Sequence, residues 1–163
     1  MNTLAYLGFA LEGAGRLYVR RFEQRTKGLA LEPMGCKALL VLADNEGITQ
    51  QRLAELTVLD PSTTGRLLDR LEARGLVERR RRPHDRRARS VALTREAMEL
   101  LPSLWQAAGD SLRDALSGLS TTQRYSAMDA LRLVLSNLVR SNVRPGRSDG
   151  PPDPFAGSDS GRS

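Results

Sequence analysis

Between Thr49 and Thr94 the hydrophobic period of the sequence changes from helical to alternating, and this change restricts the fold more than any other feature. Thr49 suits the N-cap of a short helix over 49–57, with Leu53, Ala54 and Leu56 on its apolar side. Asp60-Pro61-Ser62 then starts a second helix. An aspartate at the N-cap accepts from a free first-turn amide, and proline at the first helical position has no N–H to lose. This helix is expected to reach about Arg74, with Leu67, Leu68 and Leu71 inward, and Gly75 ends it. Leu76 to Arg81 reads as a strand, and Ser90 to Thr94 alternates weakly, with Val91 and Leu93 on one side. Pro83-His84-Asp85-Arg86 reads as the turn between them, so the two runs form a hairpin.

The flanks are helical. Residues 3–27 place Leu4, Leu7, Leu11, Ala14, Leu17, Tyr18 and Phe22 near one face, and Gly28 stops the pattern. Pro33 suits the first turn of a helix over 33–45, whose dense run Ala38–Ala43 implies burial on most sides and a central place in the core. Thr94 caps a long helix, 95–117, in which Pro102 marks a bend or a break. Ser120 with Gln123 fits a capping box for a last helix, 121–140. The fold class is therefore mainly α with a small β-hairpin wing (α+β): a winged helix-turn-helix over about 33–94 between long N- and C-terminal helices. One domain is expected over 1–141. From 142 to 163 Pro, Gly, Ser and Asp dominate, which leaves too little apolar surface to offset ordering, so this stretch is expected to be a disordered tail. Phe155 is its one large apolar side chain, and partner binding is the other reading for it.

The net charge of +6 is concentrated in the same segment. Eleven arginines stand against five acidic residues between Asp60 and Arg95, an excess of six, so the remainder of the chain nets to zero. Seven arginines fall within the eleven residues 79–89. They repel one another unless a counter-charge arrives, and a phosphate backbone supplies one while releasing condensed ions. A solvated hairpin with alternate residues facing water is the plainer alternative. The helix starting at Pro61 favours nucleic acid. Ser62, Thr63 and Thr64 make its first turn small and polar, which allows close approach to a groove and to phosphates. Arg66, one turn in, is placed to read a base edge, because arginine can bond guanine through two parallel hydrogen bonds. Arg70, a turn further, is a candidate for a phosphate or for an internal salt bridge. Thr49, Gln50 and Gln51 at the start of the preceding helix would cross the backbone and fix register.

Other classes find little support. The single cysteine, Cys36, cannot form a disulfide within the chain. Met1–Ala14 lacks a basic n-region and contains Glu12, unlike a signal peptide, and no run of about 18 apolar residues suggests a membrane span, so the cytoplasm is the expected location. One Cys and one His, His84, cannot make an ordinary zinc site, and no phosphate-binding G-x-x-x-x-G-K-[ST] loop occurs. No catalytic site, metal or cofactor is expected.

The run L-D-P-S-T-T-G-R-L-L-D-R-L-E-A-R-G-L-V-E-R (59–79), followed by D-R-R-A-R-S-V-A-L-T (85–94), closely resembles the MarR family of bacterial transcription regulators, and the resemblance extends over roughly 3–140. It implies a homodimer built from the first helix and the last two, presenting two recognition helices to a pseudo-palindromic operator of double-stranded DNA. It implies that Arg87 is the wing arginine entering the minor groove, that Asp85 pairs with it, and that Arg86 meets phosphates. It implies a repressor released by a ligand or an oxidant, with a small aromatic or anionic effector in a crevice between the dimer helices and the DNA-binding lobe. Tyr18, Phe22, Met34 and Trp105 are candidates for its lining, or are core residues. Cys36 reads as a buried, inert thiol or as an oxidant sensor. A winged module that binds protein or RNA without operator specificity is the alternative function.

Overall fold

The helix-start signals of the sequence serve as side-chain caps in the computed structural model, which describes the backbone of residues 3–82 and 85–142 and the side chains of residues 6–80 and 89–140. Thr49 Oγ1 accepts from the Arg52 amide at 3.2 Å, Asp60 Oδ1 from the Thr63 amide at 2.8 Å, and Thr94 Oγ1 from the Ala97 amide at 3.2 Å. Ser120 and Gln123 bond each other's amides reciprocally, at 2.8 and 3.3 Å, as a capping box does. Each cap satisfies an amide that has no partner inside its helix, a gain of about 1 kcal/mol. The order is α1 (Thr3–Thr26), a 3-10 turn (Lys27–Leu29), α2 (Pro33–Asp44), α3 (Gln50–Thr57), α4 (Pro61–Ala73), β1 (Val77–Arg82), β2 (Asp85–Leu93), α5 (Arg95–Ala115) and α6 (Thr121–Asn142).

The core forms around α2, which touches α1, α3, α4, α5 and β2. Cys36, Ala38 and Leu39 of α2 are wholly buried. Leu53 of α3, Leu67, Leu68 and Leu71 of α4, Val77 and Val91 of the hairpin, and Ala97 and Leu104 of α5 complete the cluster. Each fully buried leucine contributes roughly 1.5–3 kcal/mol of transfer free energy. Thr26, Thr57 and Ser111 are also buried, and each hydroxyl donates to a carbonyl of the preceding helical turn. No buried side-chain polar atom among the described residues lacks a partner.

The hairpin differs from the sequence expectation. Strand β2 begins at Asp85, five residues before the expected Ser90, so Asp85 and Arg86 belong to the strand and not to the turn. Residues 85–89 lack the apolar alternation that reveals a strand, and backbone pairing carries them instead. Val77 pairs with Leu93 and Arg81 with Arg89, then the register shifts and Arg82 pairs with Asp85. Pro102 does not break α5, which runs through it at an exposed position.

The chain separates into two units at Leu119. In the first, among the described side chains of α1 only those of its C-terminal turns enter the core, through Phe22 and Thr26, while Tyr6, Leu7, Phe9, Leu11 and Leu17 are exposed. The described part of the second is α6, whose Tyr125, Leu131, Leu133, Leu135 and Leu138 are exposed. This helix ends at Asn142, the first residue of the expected tail. The remainder of that tail, 143–163, lies outside the described residues.

Candidate nucleic-acid interface

Helices α3 and α4 are joined by a tight turn. Val58 takes a left-handed conformation, with φ of +58°. A β-branched residue there costs about 1–2 kcal/mol. The Leu59 amide donates to the Ala54 carbonyl at 3.0 Å and holds the turn. Gln50 at the start of α3 donates to the Pro61 carbonyl at the start of α4, at 3.3 Å. Glycine at 65 permits this approach, since a Cβ there would meet Gln50 Nε2 at 3.1 Å. The same end of α3 is fixed to the wing: Thr49 bridges to Ser90, and the Val91 amide donates to the Ile48 carbonyl at 2.8 Å.

The first turn of α4 separates the three expected hydroxyl residues. Ser62 is exposed and Thr63 half-buried. Thr64 is fully buried, and its hydroxyl donates to the Asp60 carbonyl at 3.0 Å. Thr64 therefore leaves the expected contact set, because its side chain faces the core beside Leu67, Leu68 and Leu71. The Thr63 hydroxyl, and after it the Thr63 amide, hold the Asp60 carboxyl below the ordinary aspartate range.

The arginines divide just as sharply. Arg70 donates through Nε at 3.0 Å and through a terminal nitrogen at 2.5 Å to Glu32, the residue preceding α2. Of the expected alternatives for Arg70, the free protein adopts the salt bridge with another element. Arg74 donates to the Ala30 carbonyl. Arg79 reaches back from β1 to α4, where it bonds Asp69 at 2.6 Å and also Glu72, and Arg80 pairs with Glu78. The crowded wing arginines thus receive part of their counter-charge from within the chain. The side chains of Arg66 and Arg89 are exposed and make no hydrogen bond or ion pair among the described residues. The backbones of Asp85, Arg86 and Arg87 lie on β2. The expected Asp85–Arg87 pair concerns side chains outside those described, as does His84.

Tyr18, Phe22 and Met34 come together, with Val19, Pro33, Lys37, Leu40 and Ala108, around a cavity of about 300 Å³. Trp105 is not part of this lining. It sits on α5 next to buried Leu104 but remains 44% exposed. Sequence reasoning missed Lys37, one of two lysines in the chain, which interrupts the apolar run of α2. Its Nζ donates to the Thr57 carbonyl at 2.8 Å, and burial pushes its ammonium below the usual lysine range. Burial also pushes the Tyr18 phenol and the Cys36 thiol up. Among the described residues no group of His, Cys, Asp and Glu is placed to hold a metal ion, and no helix is long and apolar enough to cross a membrane.

Tandem helices α3 and α4, stapled to an antiparallel two-stranded wing, define a winged helix-turn-helix protein. The sequence model of the MarR family matches residues 31–88. The transcriptional regulator HosA of Escherichia coli O111:H- is 35% identical over 96 residues, 58% of this chain and 70% of HosA. An uncharacterized HTH-type transcriptional regulator of Bacillus subtilis, YdgJ, is 28% identical over 80% of this chain and 77% of its own length. Among solved structures, a probable transcriptional regulator from Pseudomonas aeruginosa superposes with a TM-score of 0.65 at 32% identity, covering 81% of this chain and 96% of that one. A mutant of E. coli MarR, solved in complex with operator DNA, superposes with a TM-score of 0.73 at 24% identity, over 82% of this chain and 96% of that one. The chain belongs to the MarR family of transcriptional regulators.

Proposed function

We propose that this regulator binds duplex DNA sequence-specifically, as a homodimeric repressor released by a small aromatic or anionic ligand. The observation that carries the DNA reading is the state of Arg66. It is the one arginine of α4 that is exposed and unpaired among the described residues, while Arg70 is committed to Glu32. It stands one turn into a helix that begins with exposed Ser62, next to a strand rich in arginine, a placement suited to a base edge in the major groove. A protein of the same fold, the MarR mutant, was solved with operator DNA, which supports duplex DNA as the partner. Arg86 and Arg87 are assigned to the wing contacts, with Asp85 supporting them, and Thr49, Gln50, Ser62 and Thr63 to the backbone.

The homodimer rests on apolar surface. Tyr6, Phe9 and Leu17 of α1 and Leu131, Leu133 and Leu138 of α6 are all exposed in the single chain. Apolar surface left bare along a helix in this way marks an interaction site. A second copy would also duplicate α4 for a two-fold operator. The effector reading rests on the cavity shared by Tyr18, Phe22 and Met34, whose volume suits a single-ring ligand.

Selection of duplexes from a randomised pool by the full chain tests this function. The expected product is a pair of inverted half-sites about one helical turn apart, centre to centre. Enrichment of no duplex sequence would overturn it in favour of a module that binds protein or RNA.

A further inference from the structure

We propose that a second pocket, enclosed by the C-terminal end of α2, the wing and the start of α5, binds small aromatic amines in their protonated form. Its volume is about 310 Å³. Leu42 of α2 and Val91 of β2 are buried apolar walls, and Leu101 and exposed Met98 of α5 extend them toward solvent. It shares no lining residue with the Tyr18 cavity. A space of this size admits a single ring. The Met98 thioether at its mouth is a favourable neighbour for the edge of an aromatic one.

Charge selects the ligand class. Two charged side chains line the pocket, Glu46 and Arg80. Arg80 is already neutralised, because it donates through Nε at 2.9 Å and through a terminal nitrogen to Glu78 on the same strand. Glu46 is exposed, and its carboxylate makes no hydrogen bond or ion pair among the described residues. The pocket therefore carries one uncompensated negative charge. The end of α2 reinforces it. Asn45 donates its amide to the Leu42 carbonyl at 3.3 Å and its side chain to the Val41 carbonyl at 2.9 Å, and this terminus is still the negative end of the helix dipole. An ammonium beside Glu46 is attracted by both, and a carboxylate is repelled by both. A hydrogen bond between an ammonium and a carboxylate is roughly twice as strong as one between neutral groups, so the cation is favoured over an uncharged ligand of the same shape. The site is independent of the duplex and effector readings above.

The test titrates the full chain at neutral pH with 2-phenylethylamine, 2-phenylethanol and phenylacetate, which are a cation, a neutral molecule and an anion of similar shape. Amide chemical shifts in two-dimensional NMR locate the binding. The amine is expected to bind with a Kd of roughly 1 mM, about tenfold tighter than the alcohol. It is expected to shift the amides of Glu46, Val91 and Met98 and to leave those of Met34 and Leu40 in place. Glu46→Gln is expected to reduce the amine to the affinity of the alcohol with the melting temperature unchanged. Four results would overturn the proposal: no saturable binding of the amine, shifts gathered around Met34 and Leu40, a preference for the amine that survives Glu46→Gln, or tightest binding at this pocket by phenylacetate, which would hand the site to Arg80. The ranking of the three ligands on the wild type decides the matter even if the variant misfolds. Duplex binding is not among the readouts, so the DNA-binding proposal and this site can fail separately.

Discussion

Arg79 on β1 donates to Asp69 on α4 at 2.6 Å, from a side chain only 17% exposed, and a second guanidinium nitrogen bonds Glu72. The wing is thereby held against α4 by a forked contact between two elements that the chain makes in succession. A third, longer bond runs from Arg79 to the Gly65 carbonyl at 3.4 Å. Arg79→Gln should lower stability by about 1–3 kcal/mol, since two carboxylates lose their shared partner. Urea unfolding followed by circular dichroism measures the change, and Arg79→Lys should recover only part of it because one point charge cannot serve both sites.

Arg66 and Arg70 should separate in function. Arg66→Ala should cost roughly 1–3 kcal/mol of affinity for a selected duplex and relax the preference at one base position. Arg70→Ala should cost less affinity. Removing its exposed pair with Glu32 should lower stability by no more than about 1 kcal/mol. Fluorescence anisotropy with matched and single-mismatch duplexes distinguishes the two.

Thr94 performs two tasks at the junction of wing and α5. Its hydroxyl caps α5 and also donates to the Gly75 carbonyl at 2.7 Å. Thr94→Ala should cost about 1–2 kcal/mol and Thr94→Ser much less, as read from thermal unfolding midpoints.

Stability should fall in acid. Hydrogen bonds at the start of α4 hold the Asp60 carboxyl below its ordinary range, and the Arg25 guanidinium does the same for Asp114. A carboxyl lowered on folding stabilises at neutral pH, and this contribution disappears as the pH falls from the unfolded pKa through the folded one. Unfolding midpoints should therefore decline below about pH 4. Asp60→Asn keeps a good cap without the charge, so its midpoint should depend less steeply on acid than that of the wild type.

What could be read from the sequence was local. Asp60-Pro61, Thr94 and Ser120 with Gln123 announce their helices because a cap lies within three residues of the amide it serves. The burial of Thr64 was legible too: it precedes Leu67, Leu68 and Leu71 by three, four and seven residues, the spacing of one helical face. Arg70 and Glu32 lie 38 residues apart, and no periodicity announces a pair brought together only by the packing of α4 on α2. Lys37 escaped for the opposite reason. Its neighbours are so apolar that the helix reads as core, and only the fold reveals that this lysine reaches the end of α3.

The central proposal is that α4 and the wing read duplex DNA through arginines. The most direct measurement titrates a selected duplex with the wild type, Arg66→Ala and Arg87→Ala at several salt concentrations. The account predicts steep loss of affinity with salt for the wild type, with a slope reduced by about one for Arg87→Ala. It also predicts lost base discrimination for Arg66→Ala, with both variants as stable and as dimeric as the parent. Affinity and discrimination left intact in both variants would contradict it.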